Sequence, residues 1–201
     1  SDEFFLLMVE KLVRKHYPGF AVDACYRRNE NYGSLEAHLP FLKKLIERLN
    51  PELEDYEIKI VNDKIYFKAE TAFTRLSPFA NLPVYQLILN NCNVRDLWAL
   101  AKKSKIDRLE LRDTMVDDLR PLQGLQINYL DISNTVVTDI RPLLNLEVTH
   151  LLIEGIKIKG LGYLSDYPSL KSLKVDEARY RTPHDIRHIL HLKQKGIIAS
   201  K

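Results

Sequence analysis

From Val84 onward the chain repeats one arrangement of apolar and polar positions five times. The triplets LIL, LEL, LDI, LLI and LKV begin at Leu87, Leu109, Leu130, Leu151 and Leu173, which stand 22, 21, 21 and 22 residues apart. Three residues before each anchor come Val84, Ile106, Ile127, Val148 and Leu170, and two after it Leu89, Leu111, Ile132, Ile153 and Val175. Seven after it come Val94, Val116, Val137, Ile158 and Tyr180, and ten after it Leu97, Leu119, Ile140, Leu161 and finally Pro183. Alternation around each anchor predicts a short strand. A fixed period of this length predicts stacked units, each supplying one strand and one return segment, whose inward apolar rings merge into a single core.

Between the apolar columns the pattern predicts bends. Five after the anchor stand Cys92, Thr114, Thr135, Ile156 and Ala178; a threonine hydroxyl can bond the turning backbone where isoleucine and alanine cannot, so the ladder should be weakest in the last two units. Pro121 and Pro142, two residues after Leu119 and Ile140, favour a short turn or one 3₁₀ turn over a full helix. LWALAKKSK, in the return after Leu87, has no proline and could close into a true helical turn.

The stretch LDISNTVVTDIRPL, residues 130 to 143, resembles the short bacterial leucine-rich repeats of the internalin and phosphatase-regulator type, and that resemblance covers about residues 65 to 182. The wider run RLNPELEDYEIKIVNDKIYFKAETAFTRLSPFANLP resembles the leucine-rich regions that follow kinase domains in planctomycete-like bacterial serine/threonine protein kinases, over about residues 48 to 100. The fold expected is an α/β repeat solenoid, a right-handed leucine-rich repeat coil with one parallel strand per 21 to 22 residues.

A stack of this kind needs caps. SDEFFLLMVEKLVRKHY predicts a helix with Phe4, Phe5, Val9, Leu12, Val13 and His16 at helical spacing, stopped by Pro18-Gly19. A second helix is expected from Leu35 to Leu49, with Leu39, Leu42, Leu45, Ile46 and Leu49 on one face and Asn50-Pro51 at its end. YEIKIV and KIYFKA flank Asn62-Asp63 and predict a hairpin that docks as the first sheet edge. Thr182-Pro183-His184-Asp185 predicts a capped C-terminal helix reaching about Lys195, with Gly196 as its stop. The expected division is therefore 1–56 as helical cap, 57–182 as hairpin and repeats, and 183–201 as capping helix.

Composition narrows the function classes. With 45% hydrophobic and 28% charged residues, the 201-residue chain is that of an ordinary globular domain. It has no apolar run long enough to span a bilayer, and FFLLMV lacks a signal-peptide context. The chain opens on Ser1, which makes a fragment of a longer protein or a cloning remnant the expectation. Cys25 and Cys92 follow no metal or redox spacing, so reduced buried cysteines and a cytoplasmic setting are expected. The net charge of +3 gathers in the tail, where Arg179, Arg181, Arg187, Lys193, Lys195 and Lys201 face Asp185 alone; without aromatic or glycine interleaving, a solvated helix surface is the reading.

The positions just before, just after and three after each anchor point away from the core. They form the rows Gln86, Arg108, Tyr129, His150 and Ser172; Ile88, Glu110, Asp131, Leu152 and Lys174; and Asn90, Arg112, Ser133, Glu154 and Asp176. Asp131, Ser133 and His150 suggest a hydrolase, but Ser133 and His150 are offset by four strand positions, roughly 13 Å, beyond hydrogen-bond reach. Glu110 and Asp131 could form a carboxylate pair beside Arg108 or Arg112. His184, His188 and His191 share one face of the last helix, and histidines four apart can bind zinc; no Cys, Asp or Glu completes a site, so no metal and no cofactor is expected.

These readings combine into a non-catalytic protein-interaction module whose concave sheet face binds a protein or peptide through Arg108, Glu110, Arg112, Tyr129, Asp131, Ser133, His150, Leu152 and Glu154. Three cations against four anions on that face do not favour nucleic acid; no membrane is implied, and a monomer is expected over an oligomer. The kinase-linked resemblance implies a regulatory or substrate-positioning fragment of a bacterial serine/threonine kinase, although no Gly-rich phosphate loop, V-A-I-K, H-R-D or D-F-G occurs in this chain. A structural spacer or self-associating unit is the third reading.

Overall fold

The computed structural model describes residues 1–15, 18–30, 33–101, 103 and 105–199. His16 and Lys201 lie outside the described residues. Three helices come first, α1 (Asp2–Arg14), α2 (Pro18–Asn29) and α3 (Leu35–Leu49). Then come the strands β1 (Glu57–Val61), β2 (Lys64–Lys68), β3 (Val84–Ile88), β4 (Lys105–Glu110), β5 (Gln126–Asp131), β6 (Glu147–Ile153) and β7 (Ser172–Val175), and a final helix α4 (Pro183–Gln194). The strands form one sheet in chain order. The β1–β2 pair is antiparallel and every later pair is parallel, so the architecture is an α/β repeat.

The anchor alignment is the sheet register. Leu87 pairs with Leu109, Leu109 with Leu130, Leu130 with Leu151 and Leu151 with Leu173. The inward columns are buried throughout the first four repeats. In the last repeat Tyr180 is still buried, but Val175 is only half-buried and Pro183 is exposed, because it opens α4 rather than closing a ring.

Each return segment is a 3₁₀ helix, including Arg120–Leu122, Arg141–Asn145 and Leu161–Asp166. Trp98–Leu100 is also 3₁₀, so over its described residues the proline-free return, which could have closed into a true helical turn, takes the same short form as the others. Asp96 Oδ1 accepts from Trp98 N at 2.7 Å, as Asp118 and Asp139 accept from Arg120 and Arg141 N at 2.9 Å. This aspartate two residues ahead, more than proline, sets the tight turn.

Thr114 and Thr135 each donate a hydroxyl to a carbonyl of their own repeat, Leu111 O and Ile132 O, at 2.7 Å. One position earlier, Asn91, Asp113 and Asn134 have φ of 58°, 57° and 54°, and Gly155 has φ of 70°. Asn, Asp and Gly tolerate this left-handed bend. Beyond it Asn91, Asp113 and Asn134 donate N–H to Arg112, Ser133 and Glu154 carbonyls at 2.8–3.0 Å. Among the described residues the series stops there, consistent with a weaker ladder toward the end.

The N-terminal helices depart furthest from expectation. Pro18-Gly19 does not simply end α1; Pro18 begins α2, a helix the apolar spacing did not announce, whose buried residues among those with described side chains are Ala21, Cys25 and Asn29. Leu6 and Val9 are the buried residues of α1, and Phe4 is exposed. The α3 helix forms as expected, with Ser34 Oγ accepting from Ala37 N at 3.2 Å. Two buried asparagines fasten these helices to the first return segment. Asn29 donates to Pro78 O and Ala80 O at 3.0 and 2.7 Å. Asn50 Oδ1 accepts from Thr74 N and Arg75 N at 2.9 and 2.7 Å. One apolar core runs without interruption from Leu6 to Ile198.

The hairpin turns through Asn62 and Asp63 at φ 50° and 54°, the left-handed pair of a two-residue turn, and β2 joins β3 as expected. At the other end Thr182 Oγ1 accepts from Asp185 N at 3.1 Å, capping α4. Gly196, at φ 70°, turns the chain so that Ile197 O accepts from Leu173 N at 2.8 Å and covers the β7 edge.

Candidate functional site

The outward rows fall into register as derived. Gln86, Arg108, Tyr129, His150 and Ser172 are successive partners, as are Ile88, Glu110, Asp131, Leu152 and Lys174. The rows also extend one strand further than the sequence reading took them, because Tyr66 pairs with Gln86 and Lys68 with Ile88. The alternation in KIYFKA was the signal for that extension.

What the outward side chains do divides them into two groups. Arg108 lays its guanidinium over the Tyr129 ring, 3.7 Å from the centroid, and also pairs with Glu110 through Nε. Tyr129 is half-buried beneath it, His150 is exposed and Leu152 half-buried. Burial pushes the Tyr129 hydroxyl above its ordinary range. Thr149 Oγ1 lies 3.0 Å from His150 Nδ1, which fixes the ring beside the Tyr129 position.

The second group holds the strand ends together. Asp131 is 4% exposed and Ser133 0% exposed, so these two expected contact residues are covered. Asp131 Oδ1 accepts from Ser133 N at 2.9 Å and its Oδ2 from Arg112 Nε at 3.3 Å. Ser133 Oγ accepts from Glu154 N at 3.1 Å. Asn90 does the same two repeats earlier, taking Arg112 N on Oδ1 at 3.0 Å while Nδ2 donates to Glu110 Oε2 at 2.6 Å. Side chains here replace strand bonds where the strands end, a use that outward spacing alone does not reveal.

Charge on this face is internally matched. Arg112 reaches Glu154 at 3.0 Å as well as Asp131, and Lys174 reaches the same Glu154 oxygen at 3.1 Å. Burial raises the Glu154 carboxyl, but the bonds from Lys174 and Arg112 outweigh it and hold the group below its ordinary value. For Arg112, burial opposes the charged form and the two carboxylates overcome it, leaving the guanidinium more firmly protonated. Glu110 and Asp131 are register neighbours, yet each has its own arginine, so they do not form the shared-proton pair that acid–base chemistry needs. Ser133, with its hydroxyl turned to a backbone N–H and its side chain covered, is not placed as a nucleophile.

The remaining sequence-level candidates resolve simply. Cys25 and Cys92 are buried free thiols, pushed by burial up to about 12 and about 11. Basic residues near the C-terminus are engaged locally: Arg179 with Asp176 at 3.0 Å, Lys193 with Glu177 at 2.8 Å, Lys195 with Ser165 O at 2.6 Å and Arg181 with Ala178 O at 2.8 Å. Among the described residues no helix is long and apolar enough to cross a membrane, and no group of three or more His, Cys, Asp or Glu converges on a metal position.

No family model matches the sequence, and no curated protein matches it. Among solved structures the chain is similar to an internalin (inlF) from Listeria monocytogenes, with 27% identity and a TM-score of 0.46, over 51% of this chain and 31% of that one. It is also similar to an internalin C2 (inlC2) from the same organism, with 23% identity and a TM-score of 0.40, over 54% of this chain and 57% of that one. The aligned part is less than two thirds of either internalin.

Proposed function

We propose that the chain is a non-catalytic protein-binding module, a capped leucine-rich repeat solenoid wound as a right-handed coil, acting as a monomer in the cytoplasm. It takes a protein or peptide on the concave sheet face. Residues 1–56 and 183–201 serve as its two caps, and 57–182 carry the hairpin and the repeats. The observation that carries this reading is the Arg108–Tyr129 stack, with His150 and Leu152 beside it on successive strands. Aromatic, arginine and apolar groups brought together on a rigid sheet are the composition of binding hot spots.

Because the arginines and carboxylates of the face are already paired with one another, affinity rests on Tyr129, Leu152, Ile88 and His150. Asp131 and Ser133 support the face from beneath; Arg108, Glu110, Arg112 and Glu154 form its rim. Panning a random-peptide library against the immobilised chain and measuring the selected peptides on variants tests this. Tyr129→Ala and Leu152→Ala are each expected to cost about 1–2 kcal/mol of binding with an unchanged far-UV spectrum. Selected peptides that bind the double variant as well as the parent, or an absence of selection above background, would overturn the reading.

A second reading, a regulatory or substrate-positioning piece of a bacterial serine/threonine kinase, is supported by the order of Asn50-Pro51, the β1–β2 hairpin and the 3₁₀ turn Ser77–Phe79, the same order that the sequence resemblance follows. The reading frame upstream of Ser1 would carry H-R-D and D-F-G if it holds.

A further inference from the structure

The C-terminal helix brings two imidazoles into an arrangement that its capping role does not require. His184 Nε2 and His188 Nε2 stand 3.2 Å apart, with the rings perpendicular and their centroids 4.4 Å apart. Two imidazole nitrogens bound to one ion at about 2.0–2.1 Å are separated by about 2.9 Å at a right-angled bite and about 3.4 Å at a tetrahedral one. The observed separation falls between these limits.

The placement of His188 is built rather than incidental. Its ring lies over Gly162 so closely that a Cβ there would come within 2.6 Å of Cε1 and Nε2. Its other nitrogen, Nδ1, is 3.4 Å from Ser165 Oγ. When Nδ1–H donates to that hydroxyl, Nε2 carries the lone pair, which is how proteins orient metal-binding histidines. In that tautomer the 3.2 Å contact is a hydrogen bond from His184 Nε2–H to His188 Nε2. With His184 in its Nδ1–H tautomer both Nε2 atoms are acceptors, and a rotation of the exposed His184 ring off the Nε2–Nε2 line brings the two lone pairs onto one ion.

We propose that His184 and His188 form a two-imidazole site for a borderline divalent transition metal of the Zn²⁺, Ni²⁺ or Cu²⁺ class, with the remaining positions open to water or an external donor. Imidazole suits these ions and not Mg²⁺ or Ca²⁺. His191, one turn further along α4, is outside the pair, in keeping with the lack of a three-residue group.

Calorimetric titration of the untagged chain with Zn²⁺ tests the site. One ion per chain is expected to bind the parent and the His191→Ala variant alike, and stoichiometric binding to be lost in His184→Gln and in His188→Ala. Ser165→Ala is expected to weaken binding about tenfold by freeing Nδ1. His184 is exposed, so His184→Gln keeps the fold, which far-UV spectra of each metal-free variant verify. No binding by the parent, undiminished binding by His184→Gln, or equal loss in His191→Ala would overturn the proposal.

Discussion

Asp131 offers the sharpest separation between a contact residue and a structural one. Its side chain accepts a bond from Ser133 N at 2.9 Å and one from Arg112 Nε at 3.3 Å, and it is almost fully covered. Asp131→Ala removes both and leaves the Ser133 N–H without its acceptor. A hydrogen bond to a charged acceptor contributes about 1.5–3 kcal/mol, and a pair whose arginine is one-third exposed adds no more than about 0.2–1 kcal/mol. The expected loss is therefore about 2–4 kcal/mol. Asp131→Asn keeps an oxygen for Ser133 and gives up only the charge, since Arg112 retains Glu154. Its cost is about 0.5–1 kcal/mol. For a chain of this length each kcal/mol lowers the melting temperature by about 2–4 °C, so alanine should cost about 4–16 °C and asparagine about 1–4 °C. Thermal melts and urea titrations by circular dichroism measure both, with an unchanged urea slope required. If the two variants melt together, or if both lie within ~0.5 kcal/mol of the parent, the strut argument fails and Asp131 returns to the surface rows.

Gly155 sits at the left-handed bend that Asn91, Asp113 and Asn134 occupy in the preceding repeats, and a Cβ there would meet the Asn134 side-chain oxygen; Gly155→Val should cost about 1–3 kcal/mol and Gly155→Asn clearly less, and equal melting temperatures would refute the assignment. Bonds from Arg120 and Arg141 hold Asp118 low and Asp139 down to about 2, and Glu154 is held low as well. A carboxylate depressed on folding adds stability that is present above its unfolded value and lost as pH falls through its folded one. The melting temperature should therefore decline from about pH 4.5 downward, the Asp139 contribution persisting to about pH 2, and a flat profile between pH 5 and pH 3 would contradict the pairing. Both thiols are buried and protonated, so Ellman's reagent should label the native chain no faster than it unfolds; stoichiometric labelling within the mixing time would show an accessible thiolate.

The repeats were legible in the sequence because one column of leucines repeats with little variation, and a parallel register follows once those leucines stack. The two caps were legible in part. Thr182-Pro183 announces a helix through local chemistry, whereas the described buried side chains of α2 are Ala21, Cys25 and Asn29, small or polar residues that give apolar spacing little to reveal. Its Asn29 is buried because Pro78 and Ala80 carbonyls, about fifty residues on, need a donor. The outward rows were legible as positions and not as roles. Tyr129, His150 and Leu152 stay available, while Asp131 and Ser133 are drawn under their neighbours by backbone N–H groups left over where the strands end. No single-residue pattern marks such a demand, since it arises from two repeats meeting.

The bond from Leu173 N to Ile197 O has a consequence for how this chain can vary in length. The turn after Gly196 occupies part of the rim of β7, so a strand added there would have to displace it. At the opposite rim the hairpin presents charged Glu57 and Lys59, and an exposed Val61, a poor template for an added strand. Duplication or deletion is best accommodated in the interior, where each unit hands the next the same leucine anchor and a matching set of apolar positions. The protein thus resembles a bookshelf with fixed ends, whose volumes can be added or withdrawn while the reach of its outward face changes by one strand spacing, about 4.8 Å, at a time.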